Sequence, residues 1–200
     1  MPARLDARLQ AARRIDWRFL LPRPALKRVA YFGPRRPALL EALHKFSAEL
    51  TLTQAAEAPV VPARFDLIVM PDATPAGLAW AASQLEPGGC LYLEAYGLFG
   101  PGWPASLAGR RLRSIGQHVA LLRRCGLVEI QAYWHWPDFE ACTEMIPLDD
   151  QAALRYALAR RGSTPMARLR AWLGGRLLRA GLLTHFVPCY SIVARQPGSG

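Results

Sequence analysis

Two acidic residues occupy the ends of predicted strands, where a carboxylate could take part in chemistry. Asp72 closes an apolar run at residues 65–71, and Glu94 lies near the end of another at residues 90–95. A carboxylate there could accept a hydrogen bond from a substrate hydroxyl or amine, or act as a general base. Asp72 is therefore a candidate catalytic residue, and Glu94 is a candidate substrate-binding residue.

Both carboxylates also have a purely structural interpretation. Asp72 and Thr74 precede a predicted helix, and both residue types are good N-caps because their oxygens accept hydrogen bonds from the first free N–H groups. Glu94 has no partner that the sequence makes evident, and a structural role is favoured for it. The structural interpretation is also the favoured one for Asp72.

An aromatic segment at residues 133–140 supplies further candidates. Trp134 and Trp136 could form a wall that binds substrate, and His135 between them could be a general base or an orienting donor tuned near neutral pH. The alternative is a packed aromatic lid in which His135 is hydrogen-bonded to the backbone. The sequence leaves both interpretations open.

A metal site is not predicted. His135, Asp138, Glu140 and Cys142 offer ligand types, but their spacing matches no strong template. The cysteines are scattered without a CxxC pair, so neither a zinc site nor a disulfide framework is indicated. They are Cys90, Cys125, Cys142 and Cys189.

The elements that must position these residues are centred on residues 64–94. The apolar run ending at Asp72 is typical of a buried parallel strand. Residues 74–85 have helical periodicity, and residues 86–89 (Glu-Pro-Gly-Gly) predict a turn before the next strand. A strand, a crossover helix and a strand of this length form the βαβ unit of a parallel sheet.

The remaining chain alternates in the same way. Further strands are predicted at residues 27–32, 49–53, 127–134 and 187–195, with at most a short strand at 60–61. Further helices are predicted at residues 37–46, 110–124, 151–161 and 164–183. Residues 96–106 and 135–150 are predicted loops. We divide the chain into an N-terminal extension (1–26) that caps the core, a domain (27–195) with an insertion of loop and helices (135–186), and a flexible tail (196–200).

Three local matches carry a resemblance to the class I S-adenosylmethionine-dependent methyltransferase family. Residues 64–72 (RFDLIVMPD) resemble its fourth strand, residues 85–94 (LEPGGCLYLE) its L-x-P-G-G-x-L turn and fifth strand, and residues 121–130 (LLRRCGLVEI) its L-x-x-A-G-F-x-x-V step. The resemblance implies an α/β fold, a three-layer αβα sandwich. Its Rossmann-like sheet would be mostly parallel, with an antiparallel last strand.

The resemblance also implies S-adenosylmethionine as cofactor, but the cofactor-binding half of the pattern is degenerate. The residues that would contact the cofactor lie at the ends of the first and fourth family strands: Phe32, Gly33, Met70, Pro71 and Asp72. The usual G-x-G loop is reduced to Gly33 between an aromatic residue and Pro34. At the end of the second strand, where the family has a ribose-binding acid, this chain has Thr53 and Gln54, with Glu57 further on.

The charge and composition of the chain bear on whether it binds nucleic acid, protein or membrane. The formal net charge is +10, carried almost entirely by arginine, a bias that a GC-rich coding sequence also produces. The basic, Trp-containing segment at residues 165–183 is interpreted as an ordinary core-covering helix, with a protein partner or peripheral contact with an anionic membrane as alternatives. No nucleic-acid-binding module, signal peptide or transmembrane segment is recognisable, so we expect a cytoplasmic protein.

Two functional hypotheses follow. The first is a methyltransferase-like enzyme that acts on a small molecule in a biosynthetic pathway, with Asp72 or His135 as base and most of the rate coming from orientation. The second is a non-catalytic pseudoenzyme of the same fold that serves as an accessory or scaffold subunit, placed at a membrane surface if the basic helix contacts lipid. The family's base rates favour the first, and the residues around Gly33 favour the second.

Overall fold

The computed structural model describes residues 2–53, 64–97, 114–160 and 165–198. Its helices in chain order are α1 (Pro2–Arg14), α2 (Pro37–Phe46), α3 (Pro75–Gln84), α4 (Ile115–Arg124), α5 (Gln151–Ala159) and α6 (Pro165–Arg179). Its strands are β1 (Leu26–Phe32), β2 (Ser47–Thr53), β3 (Phe65–Pro71), β4 (Leu85–Tyr96), β5 (Val128–Trp136), β6 (Glu144–Pro147) and β7 (Cys189–Arg195). None of the described helices is long and apolar enough to cross a bilayer.

The described strands form one mixed sheet of seven, in the order β2-β1-β3-β4-β7-β5-β6. Strands β2, β1, β3 and β4 are mutually parallel, and β7 runs antiparallel between β4 and β5. This arrangement confirms the predicted Rossmann-like sheet with an antiparallel last strand. The strand order reverses between β1 and β3, so the carboxyl ends of these two strands flank the switch point where open α/β sheets hold ligands.

Alternation along the strands divides the core into two layers, which makes the fold an αβα sandwich. On one face α1 and α2 cover residues such as Tyr31, Val69 and Tyr92. On the other face α3, α4, α5 and α6 cover the alternate residues, among them Met70 and Trp134. Because successive strand residues point to opposite faces, this division decides which site residues can meet.

Two local features differ from the sequence-based expectation. The Glu-Pro-Gly-Gly segment at residues 86–89 is not a turn between helix and strand, because β4 already begins at Leu85 and absorbs the segment as a register shift against β3. Gly88 takes the positive φ of 78° that the segment was expected to need. The predicted loop at residues 135–150 contains strand β6, which pairs antiparallel with the end of β5.

Several predicted features lie outside the described residues. These are the short strand at 60–61, Gln54 and Glu57 as ribose-binding candidates, the loop at 98–106, the first residues of the helix predicted at 110–124, and the end of the C-terminal tail. The domain boundaries at 26, 135, 186 and 195 stay a prediction.

Candidate functional site

Asp72 lies at the switch point, directly after β3. Its backbone is in the left-handed region at φ 56°, an uncommon conformation for a residue with a side chain. Its carboxylate accepts a hydrogen bond from Nη2 of Arg36 at 2.8 Å, within an ion pair that is about one quarter exposed. Burial alone would lower the pKa of Arg36, but the charge and hydrogen bond of Asp72, together with Tyr96 and Glu94, outweigh it and the pKa is raised. Asp72 is therefore engaged by the loop that follows β1.

The helix-capping alternative for Asp72 is wrong. The N-cap of α3 is Thr74, whose Oγ1 accepts a hydrogen bond from the backbone N–H of Gly77 at 3.1 Å. Asp72 instead uses its backbone N–H to bond the carbonyl oxygen of Glu94 at 2.9 Å, which continues the β3–β4 ladder by one residue. Its side chain is thus directed to Arg36 and not to the helix.

Gly33 is packed tightly against the end of β3. It has a φ of 138°, and a Cβ built on it would come within 2.6 Å of the carbonyl oxygen of Pro71. The loop is closed further by Tyr31, whose hydroxyl donates to the carbonyl oxygen of Pro34 and accepts from the backbone N–H of Arg36. The glycine thus permits the approach of two protein segments to each other.

Phe32 and Met70, the other predicted cofactor contacts, belong to the core on the α3 side. The ring of Phe32 stacks on Trp80 with centroids 5.0 Å apart, and a Cβ on Gly77 would come within 2.8 Å of it. Met70 is completely buried in the same cluster. Both side chains are therefore core residues on the α3 side of the sheet.

Glu94 forms the second ion pair at this edge. The structure thus supplies the partner that a structural role for Glu94 requires. Nη1 and Nη2 of Arg14, at the end of α1, donate to the two carboxylate oxygens of Glu94 at 2.7 and 2.8 Å. Both side chains are only 4% exposed. The hydroxyl of Tyr92 donates to the same carboxylate, and Glu140 accepts from Nε of Arg14. Burial by itself would lower the pKa of Arg14, yet Glu94 outweighs it and the pKa is raised.

The segment after α1 holds Arg14 in place. Trp17, in a 3-10 turn at Asp16–Leu20, stacks on Tyr92 with ring centroids 3.7 Å apart and planes 9° apart. Ile15, between the arginine and this turn, is fully buried. The N-terminal segment therefore packs onto the sheet beside the ends of its strands.

His135 is a buried neutral residue. Its Nε2 lies 2.8 Å from Oγ of Ser191 on β7, and the residue is 2% exposed. Burial, together with the positive charge of Arg14, lowers its pKa from 6.5 to about 3. The expectation of a base tuned near neutral pH is therefore wrong, because the imidazole has no water to stabilise its charged form. The imidazole is hydrogen-bonded to the side chain of Ser191, whereas the lid interpretation expected a backbone partner.

The tryptophans and the acids do not meet. Trp134 and Trp136 contact each other edge to face at 5.7 Å and lie on the face covered by α3 to α6. Glu94 and His135 point to the opposite face, toward Arg14. The structure therefore does not bring Trp134 and Trp136 together with His135 or Glu94.

The metal alternative finds no support among the described residues, where no group of three or more His, Cys, Asp or Glu side chains is placed to hold an ion. Asp138 accepts hydrogen bonds from the backbone N–H groups of Glu140 and Ala141, which shapes the turn after Pro137. The thiol of Cys142 donates to the carbonyl oxygen of Glu144 at 3.4 Å. These side chains serve local turn geometry.

Sequence reasoning missed Arg14 and Arg36, the two arginines that define this edge. A signal existed for Arg36, because it follows β1 by four residues and the carboxyl ends of parallel strands meet at one edge of a sheet. No local signal pointed to Arg14, which lies 80 residues before its partner. A cleft of about 510 Å³ opens beside it, with lining that includes Gln10, Glu41 and Cys142.

Comparisons with known proteins place the fold and nothing finer. No known protein family and no curated protein matches the sequence. Among solved structures, a SAM-dependent methyltransferase from Archaeoglobus fulgidus is similar with a TM-score of 0.57 at 12% identity, over 95% of this chain and 94% of that one. A possible histamine N-methyltransferase from Thermotoga maritima gives 0.51 at 12% identity, over 94% and 88% of the two chains.

A longer protein matches in the same way. Phosphoethanolamine N-methyltransferase 2 of Haemonchus contortus, solved in complex with S-adenosyl-L-methionine, has a TM-score of 0.55 at 15% identity over 92% of this chain. The chain spans about half of that protein's length (52%). Structural similarity to class I S-adenosylmethionine-dependent methyltransferases thus extends over most of the chain.

The residues at the switch point do not suit that cofactor. A glycine-rich loop leaves backbone N–H groups free for a ligand, whereas Gly33 is pressed against Pro71 and Tyr31 ties the loop to itself. The carboxylate and guanidinium that a zwitterionic ligand would need are paired with each other, Asp72 with Arg36. The described part of β2 ends at Thr53 without an acid.

We predict that Arg14 and Glu94 are energetically coupled, so that removing both partners costs much less than the two single removals added together. Arg14→Met or Glu94→Leu leaves one buried charge uncompensated and should cost about 3–5 kcal/mol of unfolding free energy, whereas the double variant should cost much less than the sum. Urea denaturation measures each value. Lys45→Met, which breaks the exposed pair with Glu41, is the control and should change stability by less than ~0.5 kcal/mol. Additive losses in the double variant would contradict the coupling.

We predict that His135 makes stability depend on pH. Between its unfolded pKa of 6.5 and its folded pKa of about 3, the unfolded chain binds a proton that the folded chain does not. The unfolding free energy therefore falls as pH is lowered through this window, by up to ~1.4 kcal/mol per pH unit. His135→Asn should flatten this part of the profile. Parallel profiles for the wild type and His135→Asn would contradict the assignment.

Proposed function

We propose that this chain is a non-catalytic protein of the methyltransferase fold, serving as an accessory or scaffold subunit. The observation that carries the proposal is the closure of the switch point by the protein's own charges. Asp72 is paired with Arg36, Glu94 is paired with Arg14, and Gly33 is packed on Pro71. The groups that would recognise a zwitterionic cofactor are thus committed to internal partners.

Burial makes the Arg14–Glu94 pair costly to separate. Arg14 and Glu94 are 4% exposed, so separating them would leave two desolvated charges, at a cost of several kcal/mol. A ligand that entered between them would have to restore equivalent hydrogen bonds to both groups. Trp17, stacked on Tyr92, would also have to move. The sheet is retained while internal ion pairs occupy the ends of its strands. Such a protein keeps the rigid surface that a scaffold requires.

A small-molecule methyltransferase in a biosynthetic pathway is the second candidate, and one observation favours it. The Arg36–Asp72 pair is partly exposed, at 28% and 22% of the two side chains, so its opening does not strand a buried charge. A ligand carboxylate could then replace Asp72 on the Arg36 guanidinium, which suits bidentate carboxylate binding. The released Asp72 would be the candidate base for a substrate proton. When bound, S-adenosylmethionine would supply the methyl group.

Other residues have smaller parts in this second candidate. Gly33 and Pro71 would remain the backbone contacts closest to the ligand, while Phe32 and Met70 would support them from the core. His135, with its pKa near 3, would act as a neutral hydrogen-bonding group. Glu94 would border the substrate from the face covered by α1 and α2. Trp134 and Trp136 would support the ends of the strands from the other face.

Titration calorimetry with S-adenosylmethionine and with S-adenosylhomocysteine separates the two candidates. We expect no saturable heat from the wild-type protein and no shift in Tm, because an unbound ligand cannot stabilise the fold. A ligand at one hundred times its Kd would instead add ~2.7 kcal/mol to the unfolding free energy. An active methyltransferase of this fold, titrated under the same conditions, is the positive control. Saturable binding that Arg36→Gln abolishes would overturn the proposal and support the enzyme.

A further inference from the structure

Helix α6 carries an exposed apolar stripe. Leu169, Trp172 and Leu173 are 56%, 57% and 51% exposed, and their three- and four-residue spacing places them on one helix face. Each of these side chains leaves apolar surface in water, which is unfavourable unless something covers it. We use the term α6 stripe for these three residues.

Residues outside the α6 stripe make the contacts that hold α6 on the domain. On its inner side, Gly174 lies so close to α5 that a Cβ there would come within 2.7 Å of Cδ2 of Leu158. Leu177 and Leu178 pack against the core. The interpretation of α6 as a core-covering helix therefore accounts for its inner face and leaves the outer face unexplained.

The charged residues of α6 are all arginines. Arg168, Arg176 and Arg179 are exposed, and the guanidinium of Arg176 lies 5.2 Å from the ring of Trp172. The last fifty residues contain no Asp or Glu, although they contain eight arginines. Those arginines are Arg155, Arg160, Arg161, Arg168, Arg170, Arg176, Arg179 and Arg195.

We propose that α6 binds the surface of an anionic lipid bilayer, with the α6 stripe in the interface and its arginines on lipid phosphates. Tryptophan and leucine on one helix face with arginine beside them is the composition of helices that lie in the plane of a membrane. Arginine can bury its stem in the interface while its guanidinium stays at the headgroup level. An acid-free segment matches the negative surface potential of such a membrane over an extended area. The proposal goes beyond the accessory function and does not depend on it.

Co-sedimentation of the full chain with vesicles tests the proposal. We expect binding to vesicles that contain phosphatidylserine, weak binding to phosphatidylcholine alone, and loss of binding at high salt. Arg176→Gln with Arg179→Gln should lower the partition coefficient by roughly tenfold or more, from the contribution of each arginine near an anionic surface. Leu169→Ser with Leu173→Ser should lower it by a comparable factor, because it removes the apolar part of the contact.

Matched controls distinguish vesicle binding by the face of α6 from binding by the net positive charge of the protein. Arg123→Gln with Arg124→Gln removes two exposed arginines from α4, and Leu52→Ser removes a leucine of 52% exposure from β2. Both should bind vesicles nearly as the wild type does. Equal losses in the α4 and α6 arginine variants would assign binding to net charge and overturn the proposal.

Two further outcomes would also overturn it. One is the absence of binding to phosphatidylserine vesicles at low salt. The other is a concentration-dependent dimer in analytical ultracentrifugation that Leu169→Ser with Leu173→Ser abolishes, since that result would assign the α6 stripe to a second copy of the chain. Circular dichroism of each variant, unchanged from the wild type, verifies that a loss of binding is not a loss of folding.

Discussion

The buried ion pair between Arg14 and Glu94 joins the N-terminal helix to the centre of the sheet. A carboxylate at the end of a central strand is costly to desolvate, and a guanidinium is the group that can satisfy both of its oxygens at once. The pair is held by two bonds of 2.7 and 2.8 Å and supported by Tyr92. Because neither charge is tolerable alone, α1 and the following turn must stay where they are.

That constraint extends to the chemistry of the switch point. Arg14 pairs with Glu94 and Arg36 pairs with Asp72, so both acids near this edge have an arginine from the α1–α2 side as partner. Burial, together with the positive charge of Arg14, lowers the pKa of His135 to about 3. Groups that looked like a catalytic set in sequence are thus neutralised, buried or paired. The fold is that of a methyltransferase, while Asp72 and Glu94 at the ends of its strands are paired with the protein's own arginines.

Much of the fold was accessible from the sequence because it rests on local patterns. The buried runs at β3 and β4 and the crossover helix α3 follow from periodicity and order, whereas the antiparallel direction of β7 was implied by the family resemblance. The structure confirms all of them. Strand β6 was missed because it is four residues long and lies in an aromatic, acidic stretch without alternation. The β4 irregularity at Gly88 was taken for a turn because both use a glycine of positive φ.

The site was less accessible because its contacts are between residues far apart in sequence. Arg14 and Glu94 are brought together by packing, and nothing local to either residue indicates the other. The separation of the tryptophans from His135 was visible in principle. Alternation along β5 puts Trp134 and Trp136 on one face and His135 on the other, so a strand reaching Trp136 rules out a common wall.

A crystal structure of the protein grown with saturating S-adenosylhomocysteine tests the central claim most directly. If the switch point is filled by internal ion pairs, the distance from Nη2 of Arg36 to Oδ2 of Asp72 stays near 2.8 Å, and no ligand is ordered beside Gly33. An ordered ligand against Gly33, with Arg36 turned from Asp72 onto the ligand carboxylate, would contradict the account.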